Sequence, residues 1–182
     1  MPETRPPLDI SRLSLAEVEQ ALGERRRPPV EQWDPPHCGS SGMRIDREGR
    51  WWHEGRRIER EALVRLFASV LRREPDGRHV LVTPAEKLDI EVELAALRVL
   101  ALRREGDGEE ARIGLQLNDG SALLLGPAHP LRLHDGQPRV SVGRGLEASF
   151  ERPVYYELAE LALQNEPPGV WSEGHFFSLA EP

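Results

Sequence analysis

The alternation of apolar and polar residues predicts a chain built largely from short strands. The segment 88–92 (LDIEV) alternates with a period of two, which is typical of a strand with one buried face. A hairpin is predicted over 43–54, where the turn at 47–49 (REG) leads into two adjacent tryptophans. Trp51 and Trp52 should point to opposite faces of their strand, so one belongs to the core and the other is a candidate recognition residue.

Helical periodicity appears in three places. Ser14 and Glu17 have the spacing of a capping box and predict a helix that ends at Gly23. A second helix is expected from Arg60, and a third from Arg152, where proline occupies a first-turn position. The predicted apolar stripes are Leu63, Leu66, Phe67, Val70 and Leu71 on the second helix, and Val154, Tyr155, Leu158, Leu161 and Ala162 on the third.

The segments around the second and third helices echo each other. Three positions recur at the same spacing, with Arg60, Leu63 and Leu66 matching Arg152, Tyr155 and Leu158. Each helix is followed by an acidic-Gly turn and a strand that begins with histidine. We therefore predict an α+β protein of two lobes built from a duplicated hairpin–helix–strand unit. The expected divisions are 1–36 (leader, N-terminal helix and linker), 37–126 (first lobe) and 127–182 (second lobe).

Composition limits the classes of function. The net charge of −7 argues against nucleic acid as the main partner, because phosphate binding needs a dominant basic face. The single cysteine cannot form an internal disulfide, which fits a reducing compartment. The segment 1–10 lacks the apolar core of a signal peptide, and no apolar run is long enough to cross a membrane. We expect a soluble, cytoplasmic protein without membrane insertion.

Motifs for established chemistries are absent or lack their context. The segment 143–148 (GRGLEA) fits a dinucleotide-binding loop, but a strand pattern follows it where that loop requires a helix. Cys38 stands beside His37 without a second thiolate, and the six histidines are too scattered to suggest a metal site. Neither a metal nor a cofactor is expected.

The candidate site consists of polar and aromatic residues at strand ends and turns. Lys87 is the only lysine among 24 basic residues. Coding bias explains this, and so does a site that requires a compact ammonium group; the sequence leaves both open. The candidate ligand-binding residues are Lys87, Glu86, His129, Arg132, Arg144, Trp171 and Trp51. We expect them to converge between the lobes, where ligand sites are common. In the alternative interpretation, Glu86, Lys87 and Arg144 form structural ion pairs.

Long segments of the chain resemble the bacterial family catalogued as domain of unknown function 1285. They include 35–39 (PPHCG), 43–45, 49–58, 63–67 (LVRLF), 71–77, 81–87 (LVTPAEK), 126–132, 144–148 and 170–177, and the resemblance covers about residues 29 to 180. The resemblance implies a two-lobed α+β fold with a duplicated unit. It also implies that the second lobe is similar to pleckstrin-homology-like domains. It implies no activity. The segment 94–97 (LAAL) departs from the family pattern, which carries an acidic residue there.

These observations favour a non-enzymatic binding or signalling module. It would recognise a small anionic molecule or a protein segment between its lobes. Lys87, Arg132 and Arg144 would hold the anionic group, and Trp171 or a hairpin tryptophan would supply apolar contact. One alternative is an enzyme that uses Lys87 and Glu86 as an acid–base pair. Another is an interaction scaffold without a small ligand. The identity of the ligand and the oligomeric state stay open.

Overall fold

The computed structural model describes residues 13–17, 20 and 27–180. Within these residues the chain is mostly β-sheet, with few helices. It separates into two compact units. Unit 1 contains residues 27–96 and 144–146, and unit 2 contains the described residues of 13–20 together with 97–143 and 147–180. No helix in the described part of the chain is both long enough and apolar enough to span a membrane.

Unit 1 is built on a six-stranded sheet. Its strands pair in the order β3-β2-β1-β6-β5-β4. Two antiparallel meanders, β1–β3 and β4–β6, are joined by the parallel pair of β1 and β6. The elements are β1 (His37–Ile45), β2 (Trp51–His53), β3 (Arg56–Arg57), helix α1 (Glu61–Ser69), β4 (Leu71–Arg73), β5 (His79–Val82) and β6 (Lys87–Val92).

The tryptophans of β2 divide as the strand alternation predicts. Trp51 is 1% exposed in the core and its ring stacks on Phe67, with centroids 6.2 Å apart. Trp52 is half-buried, and its indole Nε1 donates to the Oδ2 atom of Asp46 at 2.9 Å. The same carboxylate accepts hydrogen bonds from Arg50 and from the backbone of the turn. Asp46 thereby fixes the predicted β1–β2 turn.

Helix α1 departs from its predicted apolar stripe. Only Ala68 is buried, and Leu66 is 57% exposed. The helix also ends earlier than the stripe implied, because Leu71 begins β4. The guanidinium of Arg144 donates to the carbonyl oxygens of Ala68 and Ser69 at 3.3 and 2.9 Å. These bonds satisfy carbonyl groups that the last helical turn leaves without internal partners.

Unit 2 contains a second six-stranded sheet, with strand order β10-β11-β12-β7-β8-β9. Here β12 and β7 form the central parallel pair. A helix and a separate two-stranded hairpin follow the sheet. The elements are β7 (Leu97–Glu105), β8 (Arg112–Leu117), β9 (Ala122–Leu124), β10 (Leu131–His134), β11 (Gln137–Gly143), β12 (Leu146–Phe150), helix α2 (Arg152–Ala162), β13 (Gly169–Ser172) and β14 (His175–Ser178).

The two sheets have the same topology. When the strands of each sheet are numbered from one to six along the chain, the first sheet reads 3-2-1-6-5-4. The second sheet has the same order when it is read from its β9 edge. This similarity is consistent with duplication. The helices take different places in the order, since α1 lies between the third and fourth strands and α2 follows the sixth.

The boundary between the units requires a correction to the sequence analysis. The chain divides between Ala96 and Leu97, whereas we expected the division after residue 126. The reason is strand pairing: β7 runs parallel to β12, with Leu97 opposite Ala148, so 97–126 belong to the second sheet. The predicted leader over 1–8 and the helix end at Gly23 lie outside the described residues.

The predicted capping box at the N-terminal helix is confirmed. The backbone N–H and hydroxyl of Ser14 donate to the Glu17 carboxylate at 2.7 and 2.8 Å. These hydrogen bonds lower the pKa of Glu17. Leu15 is fully buried, and its backbone N–H donates to Glu105 at 3.1 Å. A Cβ atom on Gly114 would lie 2.5 Å from the Leu15 side chain, so this segment packs closely on β8.

Candidate functional site in unit 2

Unit 2 contains a cavity of about 210 Å³. Its apolar wall comes from Ala111, Ile113, Leu161 and Val170, and three of these four residues are almost fully buried. The other lining residues are Arg104, Gly108, Gln164, Asn165 and Trp171. The cavity thus combines an apolar wall with one cation, two amides and an indole, a mixture typical of ligand sites.

Arg104, on β7, supplies the positive charge of the cavity. Its Nη1 atom donates to Gln164 Oε1 at 3.2 Å, and its Nη2 atom donates to Asp107 Oδ1 at 2.7 Å. The Arg104 side chain is 24% exposed, whereas that of Asp107 is 95% exposed. An ion pair with so exposed a partner contributes little stability. The guanidinium therefore holds a carboxylate that a competing anion can replace at little cost.

The turn that carries Asp107 has an unusual backbone. Gly106 and Gly108 flank it, with φ angles of +75° and +56°. Residues with a side chain rarely adopt such angles, so glycine suits both positions. A Cβ atom on Gly108 would meet nothing within 4 Å. The turn is thus not packed against other atoms at Gly108, on the rim of the cavity.

The hairpin β13–β14 places Trp171 at the cavity. The Trp171 and Phe176 rings contact each other with centroids 5.3 Å apart. A Cβ atom at position 169 would lie 2.4 Å from the Phe176 ring, so the hairpin requires glycine there. Asn165 Nδ2 donates to the Gly169 carbonyl oxygen at 2.8 Å. The indole is therefore held in a defined position before any ligand arrives.

A buried serine connects this hairpin to the sheet of unit 2. Ser172 is fully buried; its hydroxyl donates to the Leu125 carbonyl oxygen at 2.6 Å and accepts from the Ile113 N–H at 2.9 Å. On the exposed side of the hairpin, Arg112 and Glu173 form an ion pair at 2.6 Å. These bonds fix the cavity wall against β8.

The cavity lining contains apolar, amide, indole and guanidinium side chains, together with Gly108. They include no serine, cysteine, lysine, histidine or carboxylate, so none is a nucleophile or general base of the usual kinds. Within the described part of the chain, no three His, Cys, Asp or Glu residues cluster closely enough to hold a metal ion. What the arrangement offers is recognition of an anionic group beside an apolar surface.

Lys87, predicted as a ligand-binding residue, lies in an ion-pair network of unit 1. Its Nζ atom is 3.4 Å from Asp34 Oδ1 and 3.5 Å from Glu74 Oε1, and its side chain is 13% exposed. Glu74 also pairs with Arg72 at 2.6 Å. Glu86 is exposed, and its described bonds are backbone contacts with Thr83. The carboxylates that neutralise Lys87 are thus Asp34 and Glu74.

The remaining predicted site residues are distributed over both units. In unit 1, Arg144 caps α1 and Trp51 is enclosed in the core. In unit 2, His129 Nδ1 lies 3.0 Å from the Ser141 carbonyl oxygen, and Arg132 is exposed on β10 opposite Arg139. Of the predicted set, Trp171 is the residue that lines the unit 2 cavity.

Sequence reasoning missed Arg104, Gln164 and Asn165. Arg104 precedes the acidic, glycine-rich segment 105–110, which the pattern marks only as a turn. The two amides lie just beyond α2 and before Pro167. A strand end, a turn and a helix end carry no shared motif, so only folding brings these side chains together.

Two family models match nearly the whole described chain. The N-terminal domain of a domain of unknown function, DUF1285, matches residues 28–95, and the DUF1285 C-terminal domain matches residues 96–179. These ranges meet within one residue of the point where the structure divides into its two units. No curated protein matches the chain significantly.

Two solved structures share the fold. One is the crystal structure of a DUF1285 family protein from Silicibacter pomeroyi DSS-3, which is 35% identical, with a TM-score of 0.78 over 90% of this chain and 92% of that one. The other is a DUF1285 family protein from Shewanella baltica OS155, 24% identical, with a TM-score of 0.54 over 66% of this chain and 91% of that one. The second likeness concerns the fold alone.

Proposed function

The chain belongs to the DUF1285 family, whose function is unknown, and we propose that it is a non-enzymatic module that binds a small anionic ligand in unit 2. The observation that carries this proposal is the Arg104 guanidinium, which is oriented by Gln164 and already holds the exchangeable carboxylate of Asp107. A ligand carboxylate or phosphate that replaces Asp107 gains a charge-assisted hydrogen bond in a more enclosed place.

The size of the cavity restricts the ligand. About 210 Å³ is below the range of roughly 300 to 1,000 Å³ that is common for drug-sized ligands. The apolar wall and Trp171 favour a compact molecule with an apolar part beside its anionic group. A small carboxylic acid or phosphate monoester meets both conditions, whereas a bare inorganic ion would leave the apolar wall unused.

The proposal also covers the fold type of unit 2 and the role of the protein in the cell. Unit 2 is a pleckstrin-homology-like domain in this interpretation, supported by the position of α2 directly after the last strand of its sheet. The proposal includes a cytoplasmic signalling role, in which ligand occupancy is reported to a partner.

The predicted anion-binding set of Lys87, Arg132 and Arg144 stays a prediction. In unit 1 the charged groups of Lys87 and Arg144 already have described partners. The enzymatic alternative has less support, because the acidic partners described for Lys87 are not Glu86. The unit 2 cavity is lined by none of these residues, so it can be tested independently of them and is the site to test first.

Native mass spectrometry of freshly purified protein, compared with its denatured mass, tests the proposal. A non-covalent adduct that is lost on denaturation identifies the class of ligand. Titration calorimetry with small carboxylates and phosphate monoesters then measures affinity. We expect Arg104→Ala to weaken binding by about tenfold or more, because the charge-assisted hydrogen bonds are lost. Arg104→Lys should recover part of this loss, as it restores the charge without the planar fork.

Asp107→Ala provides the sharper test. It removes the internal competitor for Arg104, so an anionic ligand should bind more tightly than to the native protein. Arg78→Ala is the matched control, since it removes an exposed arginine paired with Asp76 in unit 1 and should leave affinity unchanged. If Arg104→Ala and Asp107→Ala both bind the adduct or titrated anion with native affinity, the cavity is not its site.

A further inference from the structure

Unit 1 has a recess of about 610 Å³ along its outermost strand β3 and the start of α1. It is larger and more open than the unit 2 cavity. Its lining residues are His53, Glu54, Arg56, Arg57, Ile58, Glu59, Arg60 and Leu63. None of these residues belongs to the site proposed above, and three of the eight are arginines.

The backbone of β3 has an open hydrogen-bonding edge. Among the described residues, β3 is the end strand of its sheet and pairs only with β2, through His53↔Arg56 and Trp52↔Arg57. The Ile58 N–H donates to the Trp51 carbonyl oxygen at 2.8 Å. Residue pairs in antiparallel strands alternate between bonded and non-bonded, and a two-residue hairpin closes with a bonded pair. Arg57 therefore lies between two bonded pairs, with its N–H and C=O directed away from β2.

The arginines of this recess differ from five other arginines of unit 1. Arg44, Arg50, Arg65, Arg72 and Arg78 each form an ion pair with a carboxylate. Arg56, Arg57 and Arg60 are exposed, and no carboxylate of the described chain lies within ion-pair distance of their guanidinium groups. Glu54 and Glu59 line the same recess without pairing to them. With three arginines against these two glutamates, the recess has a small excess of positive charge in a protein of net charge −7.

Apolar side chains continue the recess onto α1. Ile58 and Leu63 are half-buried in its lining, and Leu66, one turn further along the helix, is 57% exposed. Short, charged edge strands protect a sheet against indiscriminate pairing. That role does not require an exposed apolar strip beside the strand, whereas a specific partner would use one.

We infer that the β3 edge of unit 1 binds an extended acidic segment of a partner protein, which adds a strand to the sheet. The partner's backbone would bond to the N–H and C=O of Arg57, as in other cases of strand addition. Its acidic side chains would face Arg56, Arg57 and Arg60, and an apolar side chain would contact Leu63 and Leu66. An anionic lipid surface would supply negative charge but no backbone partner for Arg57, so the open edge favours a peptide.

Fluorescence anisotropy with a labelled (Glu-Val)₄ peptide as the probe tests this surface on the full chain. The acidic peptide should bind more tightly than a (Lys-Val)₄ peptide by about tenfold or more, because like charges at an interface are repelled. N-methylation of alternate backbone amides in the acidic peptide should also weaken binding by about tenfold, because it blocks the hydrogen bonds to the edge.

The variant Arg56→Glu/Arg57→Glu/Arg60→Glu should abolish binding of the acidic probe. Its matched control is Arg78→Glu, an exposed arginine of the same unit that already has acidic partners and should retain native binding. Circular dichroism confirms that both variants are folded. Native affinity in the triple variant, equal binding of both peptides, or no binding of the acidic peptide at millimolar concentration would each overturn the inference.

Two further results discriminate the remaining possibilities. If N-methylation has no effect while charge reversal abolishes binding, the surface recognises charge only and strand addition is wrong. If the triple variant loses binding to phosphatidylserine vesicles but the native protein ignores the peptide, the partner is a membrane surface. Arg104→Ala should not change peptide binding, so this experiment and that of the unit 2 cavity can fail independently.

Discussion

The two units share one sheet topology and differ in what is added to it. Both sheets read 3-2-1-6-5-4, with a parallel pair at the centre. In unit 1 the helix lies between the two meanders and buries only Ala68. In unit 2 the helix follows the sheet and buries Val154, Leu158 and Ala162. The two units therefore differ in the elements that accompany the shared sheet. In unit 2, α2 and the β13–β14 hairpin contribute residues to the cavity, whereas in unit 1 the helix α1 lies beside the open β3 edge.

The difference is clearest at two leucines that the sequence aligns. Leu66 and Leu158 hold the same place in the echo between the helices. Leu66 is 57% exposed, whereas Leu158 is fully buried. Since burial of apolar area is the main source of packing energy, the two residues should contribute very differently to stability. Similar spacing along a helix thus does not imply a similar environment.

Truncation of these leucines should have the largest effect and tests the comparison directly. Leu158→Ala should destabilise unit 2 by about 3 kcal/mol, because it removes apolar contacts and leaves a cavity. Leu66→Ala should change the stability of unit 1 by no more than about 0.5 kcal/mol. Hydrogen exchange measured by mass spectrometry during urea unfolding reports each unit separately. Equal losses at the two positions would contradict the contrast between buried α2 and exposed α1.

Ser172→Ala should have the next largest effect, and it should act on unit 2 alone. It leaves the buried N–H of Ile113 and C=O of Leu125 without their hydroxyl partner. An unsatisfied buried group costs about 1 to 3 kcal/mol. We expect a loss of about 2 kcal/mol, seen as faster amide exchange in β8 and β13. Ser178→Ala, in the partly exposed strand β14, is the control and should have little effect.

Much of this fold was accessible from local sequence patterns. The turn at 47–49, the alternation in β6 and the start of α2 depend on residues that are neighbours in sequence, and the structure confirms them. The capping box of Ser14 and Glu17 is confirmed for the same reason. Propensity and turn chemistry decide such features before distant contacts form.

The features that sequence analysis missed depend on contacts between distant residues. The boundary at Ala96 follows from pairing of β7 with β12, about fifty residues later in the chain. Exposure of Leu66 could not be predicted, because helical periodicity shows a stripe but not what covers it. In the candidate site, Trp171 was predicted, whereas Arg104 and Gln164 meet only through the packing of α2 on the sheet.

A smaller effect concerns Asp46 in the β1–β2 turn of unit 1, which should make the stability of this unit depend on pH. Burial raises the pKa of Asp46, but the hydrogen bonds from Trp52 and Arg50 outweigh it, so the pKa lies below the usual 3.8. A carboxyl group with a lowered folded-state pKa stabilises the protein above its unfolded pKa. That stabilisation is lost as the pH falls below 3.8 through the lowered folded-state value.

Asp46→Asn tests this linkage. At neutral pH the variant should be less stable by about 1.5 kcal/mol, because charge-assisted hydrogen bonds are replaced by neutral ones. Urea unfolding followed from pH 7 to pH 2 should show the native and variant stabilities converging below 3.8. Asp34→Asn, which changes a side chain that is 92% exposed in the same unit, is the control. A constant difference between native protein and Asp46→Asn at every pH would show that the carboxylate charge is not responsible.

The smallest effect is expected at the N-terminal segment, which packs with unit 2. Ser14→Ala removes the hydroxyl that accepts from the Glu17 N–H at 3.3 Å, and such caps contribute about 1 kcal/mol. The segment carries the fully buried Leu15, so loosening it should accelerate amide exchange on β8 beside Gly114 and leave unit 1 unchanged. Ser14→Thr is the matched control, since threonine keeps the hydroxyl that accepts from the Glu17 N–H and donates to its carboxylate, and it should retain native exchange. Faster exchange in unit 1 would instead place this segment with the other sheet.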